Sequence, residues 1–130
     1  MTNRSYRKLP ACRIAMRLIQ EIYTLAAAFP EDEKSGLTAT IKRSATSINA
    51  QLAVVASRWG SPESTTTLDA ADIALQELLA YLDVADQLRL TASWRFRHSR
   101  RLALKLSKRI VRLAEMLGSE QQQFHLRSAA

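Results

Sequence analysis

The sequence predicts an all-α chain arranged as an up-down-up-down four-helix bundle. Three observations predict it. Apolar residues recur at steps of three and four through four long segments, the period of one helix face. Glycine and proline number only three each in 130 residues, while Leu and Ala are abundant. Short connections join the periodic segments, which makes sequential helices antiparallel neighbours. A chain of 130 residues suggests one domain with a sizeable core. We divide it into a basic N-terminal arm at 1–9, a bundle at 10–118 and a flexible tail at 119–130.

The arm carries Arg4, Arg7 and Lys8. Pro10 suits the first turn of a helix, where its missing N–H costs nothing. The first helix is expected to run to about Phe29, with Ala11, Ile14 or Ala15, Leu18, Ile22, Leu25 and Phe29 as its buried stripe. Pro30 pushes the residue before it out of the α region and ends that helix. The connection PEDEKSG has room for one short turn.

The second helix is expected at about 36–59. Leu37, Ile41, Ala45, Ile48, Leu52, Val55 and Trp59 form a narrow seam, and Gly60 is placed to end it. GSPESTTT reads as the longest loop. The third helix follows at about 65–88, with Leu68, Ala71, Leu75, Leu78, Leu82 and Ala85 inward. RLTAS reads as a turn, with Thr91 or Ser93 as candidate N-caps. The fourth helix is expected from about 93 to 117, stopping at Gly118, with Leu102, Leu106, Ile110, Leu113 and Leu117 on its core face. The third and fourth helices carry further apolar residues off the core face. Ile73, Val84, Leu104 and Val111 are therefore candidate contacts between subunits, against the plainer alternative of scattered surface apolar residues.

Charge is concentrated in one place. Residues 87–114 hold nine of the nineteen basic residues and no acid, so this segment carries the whole excess of +7. Arg97, Arg101, Lys105, Lys108, Arg109 and Arg112 gather on one face of the fourth helix, away from its apolar seam. Like charges without acidic neighbours repel one another, which favours a polyanion site over a merely solvated face. We expect Arg97, Arg100, Arg101, Lys105, Lys108, Arg109 and Arg112 to contact phosphate, helped by Lys42, Arg43 and Arg58 if those faces adjoin. Trp94 and Phe96 alternate with Arg95 and Arg97, which suits either base stacking or an anchor for the start of the helix.

Several chemistries lack their residues. A carboxylate di-iron bundle needs paired Glu-x-x-His motifs, and neither His98 nor His125 has a Glu three residues before it. One cysteine, Cys12, allows no internal disulfide and no multi-cysteine metal site; it reads as a small buried thiol. Asp69 and Asp72 are close on one helix but have no apolar surroundings to raise a pKa. There is no glycine loop to cradle phosphate. No metal, cofactor or catalytic residue is predicted, and the chain is expected to be a non-enzyme. No stretch approaches the roughly 20 apolar residues of a membrane span, and a cytoplasmic location is expected.

The order of the segments resembles a known family, the four-helix-bundle proteins encoded in intervening sequences of bacterial 23S rRNA genes. The resembling run is Tyr6-Arg7-Lys8-Leu9, Ala15-Met16, Ile22-Tyr23, Phe29-Pro30, Glu33, Gly36-Leu37, Ile41-Lys42-Arg43-Ser44-Ala45 and Ser47-Ile48. Ala74-Leu75, Glu77-Leu78 and Leu82 continue it, and the resemblance covers about residues 6–117. The chain departs from the family near Cys12, where a tryptophan is usual. It departs again after Ile48, where Asn49-Ala50-Gln51-Leu52-Ala53 stands in place of Asn-Ile-Ala-Glu-Gly and the acid and glycine are lost. The chain is also similar to the accessory variability determinants of diversity-generating retroelements, basic pentamers that bind a reverse transcriptase and nucleic acid. The resemblance implies a cyclic homopentamer and association with RNA or DNA. The leading expectation is a non-catalytic, nucleic-acid-binding accessory or scaffold with little sequence preference. The alternative is a protein-interaction module that docks a partner such as a retroelement reverse transcriptase.

Overall fold

The structure, a computed structural model, describes residues 9–33 and 36–129. Four α-helices dominate: α1 (Pro10–Ala27), α2 (Leu37–Ser57), α3 (Pro62–Gln87) and α4 (Phe96–Ala129). Short 3-10 turns occupy Glu31–Glu33 and Ser93–Arg95, and no strand occurs among the described residues. The basic arm expected at 1–9 lies, apart from Leu9, outside the described residues.

Each helix packs against its sequence neighbours, and α1 closes the square on α4. Side-chain contacts fix the directions. Asn49 Nδ2 reaches Met16 Sδ at 3.4 Å and Lys42 lies over the Tyr23 ring, so α2 runs against α1. Arg100 meets Asp83 and Asp86 while Thr65 meets Gln121, so α4 runs against α3. Glu21 lies beside His98, while Pro10 and Ala11 share a groove with Arg112 and Leu113, so α4 also runs against α1. The chain is an up-down-up-down four-helix bundle, as the short connections require.

The apolar seams meet in one core. Leu18, Ile22, Ile41, Ile48, Leu52, Leu75, Leu78, Leu82, Leu106 and Ile110 are all buried within it. Leu37 and Trp59 are only half-buried at its edge, because each sits at an end of the second seam. Phe29 and Phe96 face each other at 6.0 Å between ring centroids, so the connection after α1 and the start of α4 share one aromatic contact.

Three boundaries differ from the sequence expectation. Helix α3 starts at Pro62, so most of GSPESTTT is its first turns rather than a loop. Proline fits that position, Ser64 is buried, and its hydroxyl donates to the Ser61 carbonyl at 2.6 Å. Helix α4 begins at Phe96 after the 3-10 turn, and Ser93 does not cap it: the Ser93 hydroxyl donates to Asp86 Oδ1 at 2.7 Å. Helix α4 also passes through Gly118 instead of stopping there, and is helical over the stretch expected as a tail. Gly118 does not take the left-handed φ of a helix stop; Gly60, at φ 87°, does. Tertiary bonds hold the continuation. The Trp59 indole donates to Glu120 Oε2 at 2.8 Å, and Gln121 bonds both Thr65 and the Ser61 carbonyl.

The α3–α4 turn is held by two backbone bonds, Leu90 N–H to the Ala85 carbonyl and Arg89 N–H to the Asp86 carbonyl. This closure needs a left-handed residue, and Arg89 takes that role at φ 55°.

Candidate nucleic-acid interface

Helix α4 turns different sides to different neighbours. At about 100° per residue, Arg97, Arg101, Lys105, Lys108 and Arg112 lie outward and toward α1, and Arg109 lies closest to the α1 groove. The first five are exposed and Arg109 is half-buried. None of the six is within 4 Å of a carboxylate among the described residues. From Arg97 to Arg112 they span roughly 22 Å of helix at about 1.5 Å per residue.

Arg100 is different. Its guanidinium donates to Asp83 Oδ1 and Asp86 Oδ2, both at 2.9 Å, and lies 5.7 Å over the Phe96 ring. The Ser93 hydroxyl, then Arg100, hold the Asp86 carboxyl below the usual carboxylate range. Arg100 is thus turned toward α3 and tied into the α3–α4 turn, one wheel step away from the free cations.

Lys42, Arg43 and Arg58 do not adjoin that face. They belong to α2 and the residue after it, and α2 sits diagonally across the bundle from α4. Lys42 Nζ lies 4.9 Å from the centre of the Tyr23 ring. Arg58 sits near Glu63, whose carboxyl is lowered first by its own backbone N–H, then by Ser61 and Arg58.

Two cations that the sequence reading left out do adjoin it. The antiparallel register between Glu21–His98 and Pro10–Arg112 places Arg17 and Arg13 beside the Lys105–Arg109 stretch, and both are exposed. Their i, i+4 spacing off the α1 seam was the available signal, but one sequence does not say which neighbour that face meets.

The four apolar positions off the seam are all exposed. Ile73 is 60% exposed, Leu104 55%, Val111 52% and Val84 46%, so none of them is part of the core. The register set by Arg100–Asp83 and Thr65–Gln121 puts Ile73 level with Val111 and Ala80 level with Leu104. The helix period sets Ile73 and Val84 on the outer face of α3, and Leu104 and Val111 on the outer face of α4 beside Arg97 and Lys108.

Cys12 is buried in the core, and burial pushes its thiol up to about 12. It is an inert packing residue at neutral pH. Among the described residues no three of His, Cys, Asp and Glu come together, and no helix is long and apolar enough to cross a membrane.

An antiparallel four-helix bundle with a cationic face on α4 is the class these features define. The family model described as 23S rRNA-intervening sequence protein matches residues 7–117. The chain belongs to that family. The matched stretch covers nearly the whole run on which the resemblance rests. No match was found among curated proteins.

Proposed function

We propose that the protein is a non-catalytic accessory or scaffold that binds the phosphate backbone of RNA or DNA through the α1–α4 face. The observation that carries this reading is the set of six α4 cations that lack a carboxylate partner among the described residues. Unrelieved like charge on a rigid helix favours a polyanion, whose binding releases its counterions. Backbone contacts of this kind position a nucleic acid without reading its sequence. The family description ties these proteins to insertions in ribosomal RNA genes and names no reaction.

The copies that bind are proposed to be joined as a homo-oligomer, a cyclic pentamer by the family resemblance, in the cytoplasm and without a cofactor. Ile73, Val84, Leu104 and Val111 are the proposed subunit contacts, supported by their exposure as large apolar side chains. A reverse transcriptase that docks on the same cations is the second reading, favoured only by the resemblance to retroelement accessory proteins.

The test is one variant carrying Arg101→Gln, Lys105→Gln and Arg109→Gln. Each lost phosphate contact reduces the slope of log affinity against log salt by roughly 0.7–0.9, so the slope should flatten by about 2–2.7. Helicity and oligomer mass by light scattering should be unchanged. An unaltered slope with a reduced mass would assign these cations to assembly instead.

A further inference from the structure

We infer that the groove beside the α3–α4 turn is a pocket for one unpaired base of a single-stranded nucleic acid, with Trp94 as the stacking surface. This rests on the phosphate-binding reading above, because Arg97 and Arg101 belong to both.

The groove encloses about 250 Å³ between α1 and the start of α4, and Trp94, Arg95, Arg97, Arg101, Thr24 and Glu21 all line it. Trp94 is 60% exposed, whereas Phe96, two residues on, is fully buried. The alternation of aromatic and arginine thus splits into two jobs. Phe96 holds the helix start against Phe29, and Trp94 is left outside.

Trp94 is exposed on a backbone anchored at both ends. Ser93 on one side is bonded to Asp86, Phe96 on the other is in the core, and Arg100 ties the same turn to α3. The Arg95 guanidinium lies 4.7 Å from the indole centre and covers part of the ring. An exposed indole flanked by arginines is the arrangement on which single-stranded nucleic acids stack a base while their phosphates are neutralised. Arg97 and Arg101, next along α4, are placed for the adjoining phosphates.

Glu21 decides between a base and a further phosphate. Its carboxylate lies 3.7 Å from His98 Nε2 inside an otherwise cationic groove. A carboxylate repels phosphate, but it accepts hydrogen bonds from the exocyclic amino group of adenine, cytosine or guanine. The base must be turned out of any helix to reach the groove, so duplex does not satisfy it.

The test compares wild type with Trp94→Leu and Trp94→Phe. The probes are twelve-residue oligoadenylates of RNA and of DNA, a DNA duplex of the same length, and an abasic oligomer with the same phosphates. Trp94→Leu should weaken oligoadenylate binding roughly ten-fold or more and leave the duplex and abasic affinities unchanged. Trp94→Phe should restore most of the loss. A loss in the RNA arm, the DNA arm or both supports the pocket and tells which sugar it accepts. Equal effects on all four probes, or none on any, overturn the pocket while leaving phosphate binding intact. If wild type binds none of the four, both readings fall. The melting temperature of Trp94→Leu reports any folding contribution.

Discussion

Arg100 and Arg101 are adjacent in sequence, and the structure gives them opposite tasks. Replacing Arg100 with Gln removes two hydrogen bonds at 2.9 Å and the cation over Phe96. The Asp83 carboxylate is 63% exposed, so that pair contributes at the low end of about 0.2–1 kcal/mol. The Asp86 carboxylate is 18% exposed and contributes nearer about 1 kcal/mol. The ring contact adds roughly 0.5 kcal/mol. The whole change should therefore cost about 1–2 kcal/mol. For 130 residues at about 2.1 cal/mol/K per residue of unfolding entropy, that lowers the melting temperature by about 4–7 °C. The loss should depend on pH with a defined sign. The folded Asp86 carboxyl is held below its ordinary value, so its contribution is complete above the unfolded carboxylate pKa of roughly 3.9 and disappears as pH falls through the folded value. The gap between wild type and variant should then close in acid. Arg101→Gln should do the reverse: little change in melting temperature, and a salt slope reduced by roughly 0.7–0.9. The assays are thermal unfolding at fixed protein concentration and salt-dependent binding. If Arg100→Gln melts like wild type and loses as much salt slope as Arg101→Gln, the division between latch and binding cation is wrong.

Two further changes test the frame itself. Leu78→Ala empties a fully buried position in α3 and should cost about 2–5 kcal/mol by denaturant unfolding; a cost below about 1 kcal/mol would mean that the four seams do not meet as described. Arg89→Gly relieves a side chain held at φ 55° and should stabilise the chain by roughly 1 kcal/mol, and a loss of stability would show that the Arg89 side chain itself holds the turn.

The core was legible because it depends on period alone. Leu75, Leu78 and Leu82 repeat as one helix face must, and no partner need be known to predict their burial. Helix ends were less legible, because they depend on groups far away in sequence. Gly118 looks like a stop, yet Trp59 and Thr65, some sixty residues earlier, bond to the turn beyond it. The cationic face was legible as a face but not as a surface. A helix wheel sets Arg100 and Arg101 about 100° apart but does not reveal that one meets α3 while the other lies toward α1. For the same reason Lys42, Arg43 and Arg58 were grouped with cations across the bundle, and Arg13 and Arg17 were left out. Trp94 and Phe96 share one alternating pattern, and only tertiary packing separates the buried ring from the open one.

Helix α3 carries Glu63, Asp69, Asp72, Glu77, Asp83 and Asp86 and not a single lysine or arginine, while its packing neighbour α4 holds the cations. The bundle is thus electrically lopsided across its width, with a moment that points from α3 toward the α1–α4 side. Helix axes in a bundle lie about 8–10 Å apart, close to the screening length at physiological salt. In dilute salt the two faces act together and exert a torque on the molecule in the field of a distant polyanion. In physiological salt each face is felt only at close range. The rate at which the protein finds a nucleic acid should therefore fall with salt faster than its net charge of +7 alone implies, because the same ions that weaken the attraction also remove the turning that aims it.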